Sequence, residues 1–323
     1  MKILSLCDGM SCGHIALDRA GLHVSEYYAA EIKEIAIKVT KANYPKTIHI
    51  GDVNKITYKN GVLYTENGAF NVGHIDMVIF GSPCQTFSIA IPTGQRIGLA
   101  NLQKSGLFYQ CVRILQEVQP TYFLMENVAS MRNSDRDIIS KVIGFDPIQI
   151  DSQLVAPALR KRYYWTNIPG IEQPEKKDIN LQSILSDGYT DRHKARCLAV
   201  IDSRPNATPI KMFHRYYSTG FTTLIFKSKD HYEACKAYYD EHFAGKPACE
   251  IEEKPAIFDG VRYMNQAELE QCQTVPAGYT KCLTRNEAAD VLGDGWTVDI
   301  IAHIFKHIPD CAATQSEREE SAS

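Results

Sequence analysis

The chain has 323 residues, of which 44% are hydrophobic and 23% charged, so it is long enough to bury a large core and too apolar for a disordered protein. No apolar run is long enough to cross a bilayer, and Asp8 interrupts the short apolar stretch at the N-terminus, which excludes a signal peptide. We therefore expect a soluble cytoplasmic protein. The ten cysteines form no Cys-x-x-Cys pair, so the sequence predicts neither a metal site nor a thioredoxin-like redox site.

Strand-like and helix-like segments alternate along the first half of the chain. The hydrophobic pattern predicts strands at residues 2–6, 24–30, 75–80, 122–125 and 162–168, and helices at residues 12–20, 32–43 and 105–118. Alternation of this kind predicts an α/β fold with a parallel sheet that carries helices on both faces.

Beyond Pro169 the pattern weakens, prolines punctuate the chain and aromatic residues cluster, which predicts a second, smaller lobe. Helical patterns return after Val261, and residues 298–308 have an apolar face that we expect to pack back on the first half. The predicted organisation is a first domain at 1–169, the smaller lobe at 170–260, a C-terminal segment at 261–310 and a flexible tail at 311–323.

The formal net charge is −3, but the charges are unevenly distributed. Residues 192–229 carry eight basic side chains against a single acidic one, Asp202. A concentrated basic zone favours binding to a polyanion. This local effect outweighs a net charge that is only slightly negative. A solvated charged surface is an equally good interpretation of this zone.

Two glycines, Gly9 and Gly13, follow the first predicted strand, where a tight turn lets the backbone approach a ligand closely. Glu31 ends the second predicted strand, and an acid in this position can bind both hydroxyl groups of a ribose. Asp52 and Val53 come later and could reach an adenine. Together they predict a site for a nucleoside cofactor; the alternatives are a plain tight turn and, for Glu31, an acid favoured at a helix N-terminus.

Cys84 lies in the stretch 81–88, directly after the predicted strand at 75–80. Pro83 stiffens the backbone before it, and α/β folds bind ligands at this edge of the sheet. A thiolate in such a place is a nucleophile, although an isolated cysteine is more often a buried structural residue. Residues 89–104 contain two glycines and predict a mobile loop that could close over a substrate.

Three charged side chains stand at the ends of later strands. Glu126 ends the strand at 122–125, where a partly buried carboxyl group can act as an acid; the alternative is a capping or ion-paired glutamate. Arg160 and Arg162 stand at the start of the strand at 162–168. These cations could lower a thiol pKa, bind a base carbonyl or grip phosphate, and the alternative is a surface charge cluster.

These segments, in this order, resemble the motifs of the DNA cytosine-5 methyltransferase family. Residues 83–88, Pro-Cys-Gln-Thr-Phe-Ser, resemble its nucleophile motif, and residues 126–128 resemble its Glu-Asn-Val motif. Arg160 and Arg162 fit the arginines of its Gln-Arg-x-Arg motif, although leucine replaces the glutamine. Residues 262–269 are similar to the Arg-x-Leu-Thr-x-x-Glu segment that borders the target-recognition region, with Met and Asn replacing Leu and Thr.

Two segments depart from the usual bacterial pattern of that family. The first loop lacks the Asp-Leu-Phe-x-Gly start, and residues 295–298 are Gly-Trp-Thr-Val where Gly-Asn-Ser-Val is usual. Both departures resemble the de novo branch of the animal enzymes, while the short chain indicates a bacterial or phage member, a setting that includes restriction-modification. The resemblance covers nearly the whole chain except residues 170–260.

The resemblance implies a Rossmann-like, SAM-dependent methyltransferase sheet with a smaller target-recognition lobe. It implies that Cys84 attacks a cytosine flipped out of double-stranded DNA, that Glu126 holds the ring nitrogen and that Arg162 holds the base carbonyl. Arg160 is expected near the thiolate or the backbone. S-adenosylmethionine is the implied cofactor. The residues expected to contact it are Leu6, Asp8, Gly9, Glu31, Asp52, Val53, Trp296, Thr297 and Val298.

Three other functions are compatible with parts of the sequence. A tRNA cytosine-5 methyltransferase would share the chemistry, but that branch carries a Cys-Phe-Thr tripeptide that this chain lacks. A non-catalytic DNA-binding relative is disfavoured by the intact Cys84, Glu126 and paired arginines. A nicotinamide oxidoreductase is disfavoured because no Gly-x-Gly-x-x-Gly follows the first strand.

Overall fold

A computed structural model describes residues 1–82, 102–198, 209–246 and 254–309; for residues 102–105 and 209–210 it describes the backbone alone. The chain forms two compact units. Within the described ranges, the first unit contains residues 1–151, 161–174 and the chain from residue 298, and the second contains residues 152–160 and 175–297. The chain therefore leaves the first unit twice and returns to it twice.

The described part of the first unit contains ten strands in two sheets. Their bounds are β1 Lys2–Leu6, β2 Glu26–Ala30, β3 Ile48–His49, β4 Thr57–Lys59, β5 Val62–Thr65, β6 Gly68–Asn71, β7 Met77–Gly81, β8 Tyr122–Val128, β9 Ile148–Asp151 and β10 Lys161–Thr166. The main sheet has the order β3-β2-β1-β7-β8-β10-β9, and β4, β5 and β6 form a small antiparallel sheet. In the main sheet β10 runs antiparallel to both of its neighbours, and the other pairs are parallel.

Nine α-helices are present among the described residues. Their bounds are α1 Cys12–Ala20, α2 Glu34–Asn43, α3 Leu102–Val118, α4 Asn133–Ile143, α5 Pro209–His214, α6 Lys229–His242, α7 Gln266–Cys272, α8 Arg285–Asp294 and α9 Val298–Phe305. Within the described ranges, none of the helices combines the length and apolar composition that crossing a bilayer would need.

Strand β1 shows why the main sheet is buried inside the first unit. Residues 3–6 are each at most 2% exposed. Because neighbouring side chains in a strand point to opposite faces, both faces must be covered. On one face Leu4 shares a core with Phe108 of α3, and on the other Tyr27 of β2 stacks on His14 of α1 with ring centroids 4.4 Å apart. The mostly parallel sheet with helices on both faces confirms the predicted fold class.

Helix α9 completes the first unit from the far end of the chain. Its residues Ile300, Ile301 and Ile304 have no exposed surface, and the helix packs against α1. An ion pair joins the two helices, with Arg19 Nη1 2.7 Å from Asp299 Oδ1. The apolar residues of α9 are buried against the first unit, and the Arg19–Asp299 ion pair links the helix to α1.

The second unit has its own aromatic core. Buried rings from α5 to the region before α7 pack together there; they include those of Phe213, Tyr216, Phe226, Tyr239 and Phe258. A separate polar network stabilises the start of α7. Arg262 Nη1 lies 2.8 Å from Glu268 Oε2, and Glu268 also closes the capping box of α7 with Asn265. The segment 262–269 is therefore held by an ion pair whose carboxylate is buried and whose guanidinium is partly exposed.

Candidate active site

The carboxyl ends of five strands meet at one edge of the main sheet. In the parallel register Leu6 of β1 lies opposite Ala30 of β2 and Phe80 of β7, and Gly81 lies opposite Glu126 of β8. The segments that follow β1, β2, β3 and β7 therefore start side by side. Open α/β sheets bind ligands at this edge, so the structure brings together most of the predicted cofactor segments and the start of the Cys84 motif.

The turn between β1 and α1 has an unusual backbone. Cys7, Gly9 and Ser11 all have positive φ, at 55°, 61° and 61°. Leu6, which precedes the turn, is fully buried and contributes its backbone to this edge. A Cβ built on Gly9 would have no heavy atom within 4 Å, so the space in front of this residue is open. The turn therefore leaves the backbone at Gly9 open, as binding of a ligand there would require.

Glu31 links this turn to the end of β2. Its Oε2 accepts a hydrogen bond from the backbone N–H of Gly9 at 2.7 Å, and its Oε1 accepts from the N–H groups of Ile32 and Lys33 at 2.8 Å each. Ile32, next to the acid, is 70% exposed. The carboxylate is thus fixed beside the open space at Gly9, with an exposed apolar side chain next to it.

Asp52 and Val53 form the start of a short 3-10 helix after β3. Asp52 Oδ1 accepts from the backbone N–H of Asn54 at 2.9 Å, and the Asp52 N–H donates to Glu66 Oε1 at 2.8 Å. The side chain of Val53 is buried in the main core. The Asp52 carboxylate therefore caps the helix locally, and Val53 has its backbone, not its side chain, available to a ligand.

Asp8 stabilises the turn from within. Its Oδ2 accepts from Ser11 Oγ at 2.5 Å and its Oδ1 accepts from the Tyr27 hydroxyl at 2.7 Å. Burial raises the pKa of Asp8 to about 6 from its usual 3.8; the hydrogen bonds of Ser11 and Tyr27 oppose this rise, and the nearby charge of Glu31 adds to it. The contacts place Asp8 as a residue that shapes the predicted cofactor loop.

We expect the stability of the protein to record this raised pKa. A group that holds its proton more tightly when folded contributes stability below pH 3.8 that is lost as the pH rises to about 6. The free energy of unfolding of the wild type, minus that of Asp8→Asn, should therefore fall across this interval and level off above it. Denaturant unfolding of both proteins between pH 3.5 and about 7 measures the difference; parallel curves would contradict the assignment.

Glu126 and Arg162 form an ion pair on neighbouring strands. Arg162 of β10 lies opposite Val128 of β8, which makes Glu126 its diagonal neighbour on the same face of the sheet. Arg162 Nε lies 2.7 Å from Glu126 Oε1, and the two side chains are 11% and 10% exposed. The pair concentrates a carboxylate and a guanidinium in a nearly buried place at the edge of the sheet. The guanidinium can donate hydrogen bonds to a heterocyclic base, and the carboxylate can accept them.

Asn127 fixes the end of β7 against β8. Its Nδ2 donates to Ser82 Oγ at 3.0 Å and to the Ser82 carbonyl oxygen at 3.3 Å. Ser82 precedes Cys84 by two positions, and Cys84 itself lies outside the described residues. The asparagine of the Glu-Asn-Val motif therefore positions the strand that leads into the nucleophile motif. This role was not predicted from the sequence, because nothing in the sequence indicates which residue Asn127 contacts.

Arg160 belongs to the second unit, and its guanidinium contacts other residues of that unit. Its Nη2 donates to the carbonyl oxygens of Gly295 at 2.6 Å and Gly293 at 3.3 Å, and its Nη1 contacts Cys197 Sγ at 3.4 Å. Arg160 is 6% exposed. Its guanidinium therefore binds carbonyl groups at the end of α8.

The carbonyl group of Gly295 also belongs to a second buried network. Gln273 Nε2 donates to the carbonyl oxygens of Leu292 at 2.6 Å and Gly295 at 3.5 Å, and the Thr297 hydroxyl donates to Gln273 Oε1 at 2.9 Å. Thr297 is 2% exposed, while Trp296 is partly exposed. Gln273 and Arg160 thus fix the backbone of this segment. Val298, the last predicted cofactor residue, is buried at the start of α9 in the first unit.

The comparisons with known proteins agree with this geometry. Residues 1–144 match the family model described as C-5 cytosine-specific DNA methylase. This part of the chain is therefore similar to C-5 cytosine-specific DNA methylase domains. It contains the β1–α1 turn, Glu31, the Cys84 motif and Glu126; Arg162 follows it in the chain.

Proteins similar to this chain occur in phages and bacteria. The chain is 28% identical over 171 residues to the orphan methyltransferase M.Rho11sI of Bacillus phage rho11s, which is 52% of this chain and 31% of that protein. It is 34% identical over 148 residues to the type II methyltransferase M.NgoBV of Neisseria gonorrhoeae, which is 45% of this chain and 31% of that protein. The matched segments span about a third of the length of these relatives.

Two solved structures share the fold over nearly the whole chain. A crystal structure of a Spodoptera frugiperda DNMT2 mutant has a TM-score of 0.61 at 18% identity and covers 95% of this chain and 98% of its own. The S. pombe Dnmt2 methyltransferase has a TM-score of 0.58 at 15% identity and covers 94% of this chain and 96% of its own. At these identities the likeness shows the fold.

Proposed function

We propose that this protein transfers a methyl group from S-adenosylmethionine to carbon 5 of cytosine in double-stranded DNA. The observation that carries the proposal is the Glu126–Arg162 ion pair, which lies on β8 and β10 beside the strand end that leads to Cys84. The family of residues 1–144 supports the same chemistry. Similar proteins of phages and bacteria are named as orphan and type II methyltransferases, which supports DNA as the substrate. They also support a location in a bacterial or phage-infected cytoplasm and a role in restriction-modification.

The proposed reaction begins with the thiolate of Cys84. It adds to carbon 6 of a cytosine flipped out of the helix, which removes the aromaticity of the ring and makes carbon 5 nucleophilic. Glu126 would bind ring nitrogen 3 and the amino group, and Arg162 the carbonyl oxygen, where they stabilise the charge that develops. After carbon 5 gains the methyl group, a base takes its proton and the bond between carbon 6 and sulfur breaks.

The cofactor would bind where the β1–α1 turn meets the end of β2. When bound, S-adenosylmethionine supplies an electrophilic methyl group. The residues fit such a ligand in two respects: the space in front of Gly9 is open, and the fixed Glu31 carboxylate is of the kind that binds ribose hydroxyl groups. The exposed Ile32 side chain offers an apolar surface to an adenine ring. Asp8 would act by holding the turn.

The test is methyl transfer from labelled S-adenosylmethionine to three substrates: unmethylated duplex DNA, the same DNA with 5-fluorocytosine, and unmodified tRNA. We expect label in duplex DNA, recovered as 5-methylcytosine after digestion. The fluorinated DNA should form an adduct that survives denaturing electrophoresis. Label in tRNA alone would favour the tRNA enzyme, and cofactor-independent DNA binding with no transfer would favour a non-catalytic relative; either result would overturn the proposal.

A further inference from the structure

The basic side chains that the structure describes in the zone at 192–229 differ in their internal contacts. Lys194 belongs to the first group, because its Nζ donates to the carbonyl oxygens of Ile179 at 2.5 Å and Ala156 at 2.9 Å. Its charge stabilises the fold of the second unit. Lys194 therefore does not contribute to a surface for a polyanion. The basic residues at 192–229 thus do not all have the same role.

Arg192 is held in place by contacts with Tyr216 and Asp191. Its guanidinium carbon lies 4.7 Å from the centre of the Tyr216 ring, and its Nη2 donates to the Tyr216 carbonyl oxygen at 3.1 Å. Its Nε lies 3.8 Å from Asp191 Oδ1. Asp191 also accepts hydrogen bonds from the hydroxyl groups of Tyr216 and Tyr232, so its negative charge is shared among several donors.

Arg196 differs because the Nε of its guanidinium makes no hydrogen bond to the described residues. The backbone N–H of Arg196 donates to Thr223 Oγ1 at 2.9 Å, which fixes the residue. Its Nε is buried and lacks a hydrogen-bond partner among the residues that the structure describes. A buried donor without a partner is costly, so this nitrogen does not stabilise the fold of the second unit.

The two guanidinium groups converge on Gly220. This glycine ends the helical segment of residues 209–219 with φ +68°, and a Cβ there would lie 3.4 Å from Arg196 Nη2 and 3.8 Å from Arg192 Nη2. The missing side chain therefore leaves room beside both cations. Two guanidinium groups at one point repel each other unless an anion lies between or beside them.

Phe221, directly after Gly220, is 62% exposed. An exposed aromatic residue that follows this glycine in the chain, together with the two arginines, matches two chemical features of a nucleic acid strand: a phosphate oxygen and the apolar face of a sugar or base. A free inorganic anion would use the arginines but not the ring.

We propose that Arg192, Arg196 and Phe221 form a contact for the DNA backbone in the second unit. Arg196, oriented beside Arg192, binds a phosphate, and Phe221 packs against the neighbouring sugar or base. The inference rests on the proposed function, because it takes DNA as the substrate. It names which members of the basic zone meet the substrate and separates them from Lys194.

Arg196→Gln tests the phosphate contact. Fluorescence anisotropy with unmethylated duplex DNA, repeated over a series of salt concentrations, gives the slope of log K against log salt. Loss of one phosphate contact should reduce that slope by about 0.9 and weaken binding roughly tenfold. The Michaelis constant for DNA should rise, while that for S-adenosylmethionine stays unchanged. Phe221→Ala should weaken binding without changing the slope.

Lys229→Gln is the matched control, since it removes one positive charge from the same zone. Lys229 Nζ lies 3.8 Å from Glu233 Oε1, and its side chain is 68% exposed. This variant should keep the wild-type slope. Arg196→Lys keeps the charge and should restore most of the slope, and thermal melting checks that each variant is folded.

The possible failures are distinguishable. If the wild type binds and methylates DNA but Arg196→Gln has the wild-type slope, the inference is overturned while the proposed function stands. The same follows if Lys229→Gln loses as much slope as Arg196→Gln, because the effect would then be general charge. If the wild type neither binds nor methylates DNA, the proposed function fails first and the inference fails with it.

Discussion

Replacing Glu126 with glutamine is expected to lower the rate of DNA methylation by roughly two to four orders of magnitude. The amide keeps the size of the side chain but has no negative charge to stabilise a protonated ring nitrogen. The structure supports a large effect of this change on the rate, because Glu126 is 7% exposed and its carboxylate lies 2.7 Å from Arg162 Nε. Few water molecules can replace the lost interaction at such a place.

The measurement is a single-turnover assay with saturating DNA and labelled S-adenosylmethionine. An interaction made only in the transition state lowers kcat and kcat/KM together, so the affinity for DNA should stay close to that of the wild type. Glu117→Gln is the matched control, because Glu117 Oε1 lies 2.5 Å from Arg113 Nη1 on α3 and is also partly buried. We expect wild-type turnover from that control. A folded Glu126→Gln protein with turnover within about fivefold of the wild type would contradict the acid role.

Cys84→Ser is expected to abolish methylation, with a loss of more than about 10⁴-fold, while DNA binding survives. A hydroxyl group in this place has no thiolate form and cannot add to carbon 6. The prediction rests on the motif at 83–88 and on Ser82, whose contacts with Asn127 fix the strand that leads into it.

Trapping separates loss of the nucleophile from loss of the fold. DNA with 5-fluorocytosine and S-adenosylmethionine should give a denaturation-resistant adduct with the wild type and none with Cys84→Ser. Cys282→Ser is the control, since Cys282 is a partly exposed free thiol of the second unit. It should keep both turnover and adduct. Mass spectrometry of the adduct locates the sulfur, and an adduct on any other cysteine would refute the assignment.

Local sequence patterns predicted the core of the fold well. The bounds of β1 and α1 match the structure because a continuous apolar run ends at a glycine turn, and both signals are local. The small sheet of β4, β5 and β6 was missed although the sequence carries its signal. Asn60 and Gly61 join β4 to β5 with φ of 51° and 79°, the two-residue turn that Asn-Gly favours.

The candidate site was less readable than the fold, because its contacts join residues far apart in the chain. The motifs indicated which segments carry chemistry, but not that Arg162 pairs with Glu126 while Arg160 binds the carbonyl of Gly295. The two arginines stand two positions apart and serve different units. The partners of Asn127 and Gln273 are likewise chosen by the folded chain, and a single sequence contains no local signal for them.

The pairing of α1 with α9 has a consequence for how the protein is made. Arg19 and Asp299 are 280 positions apart, yet they join two helices of one unit. At ordinary speeds of translation the ribosome needs from about ten seconds to a minute to synthesise the chain between them. During that time the nascent α1 has no α9 to cover its apolar side, so the first unit becomes native only after synthesis has passed residue 305.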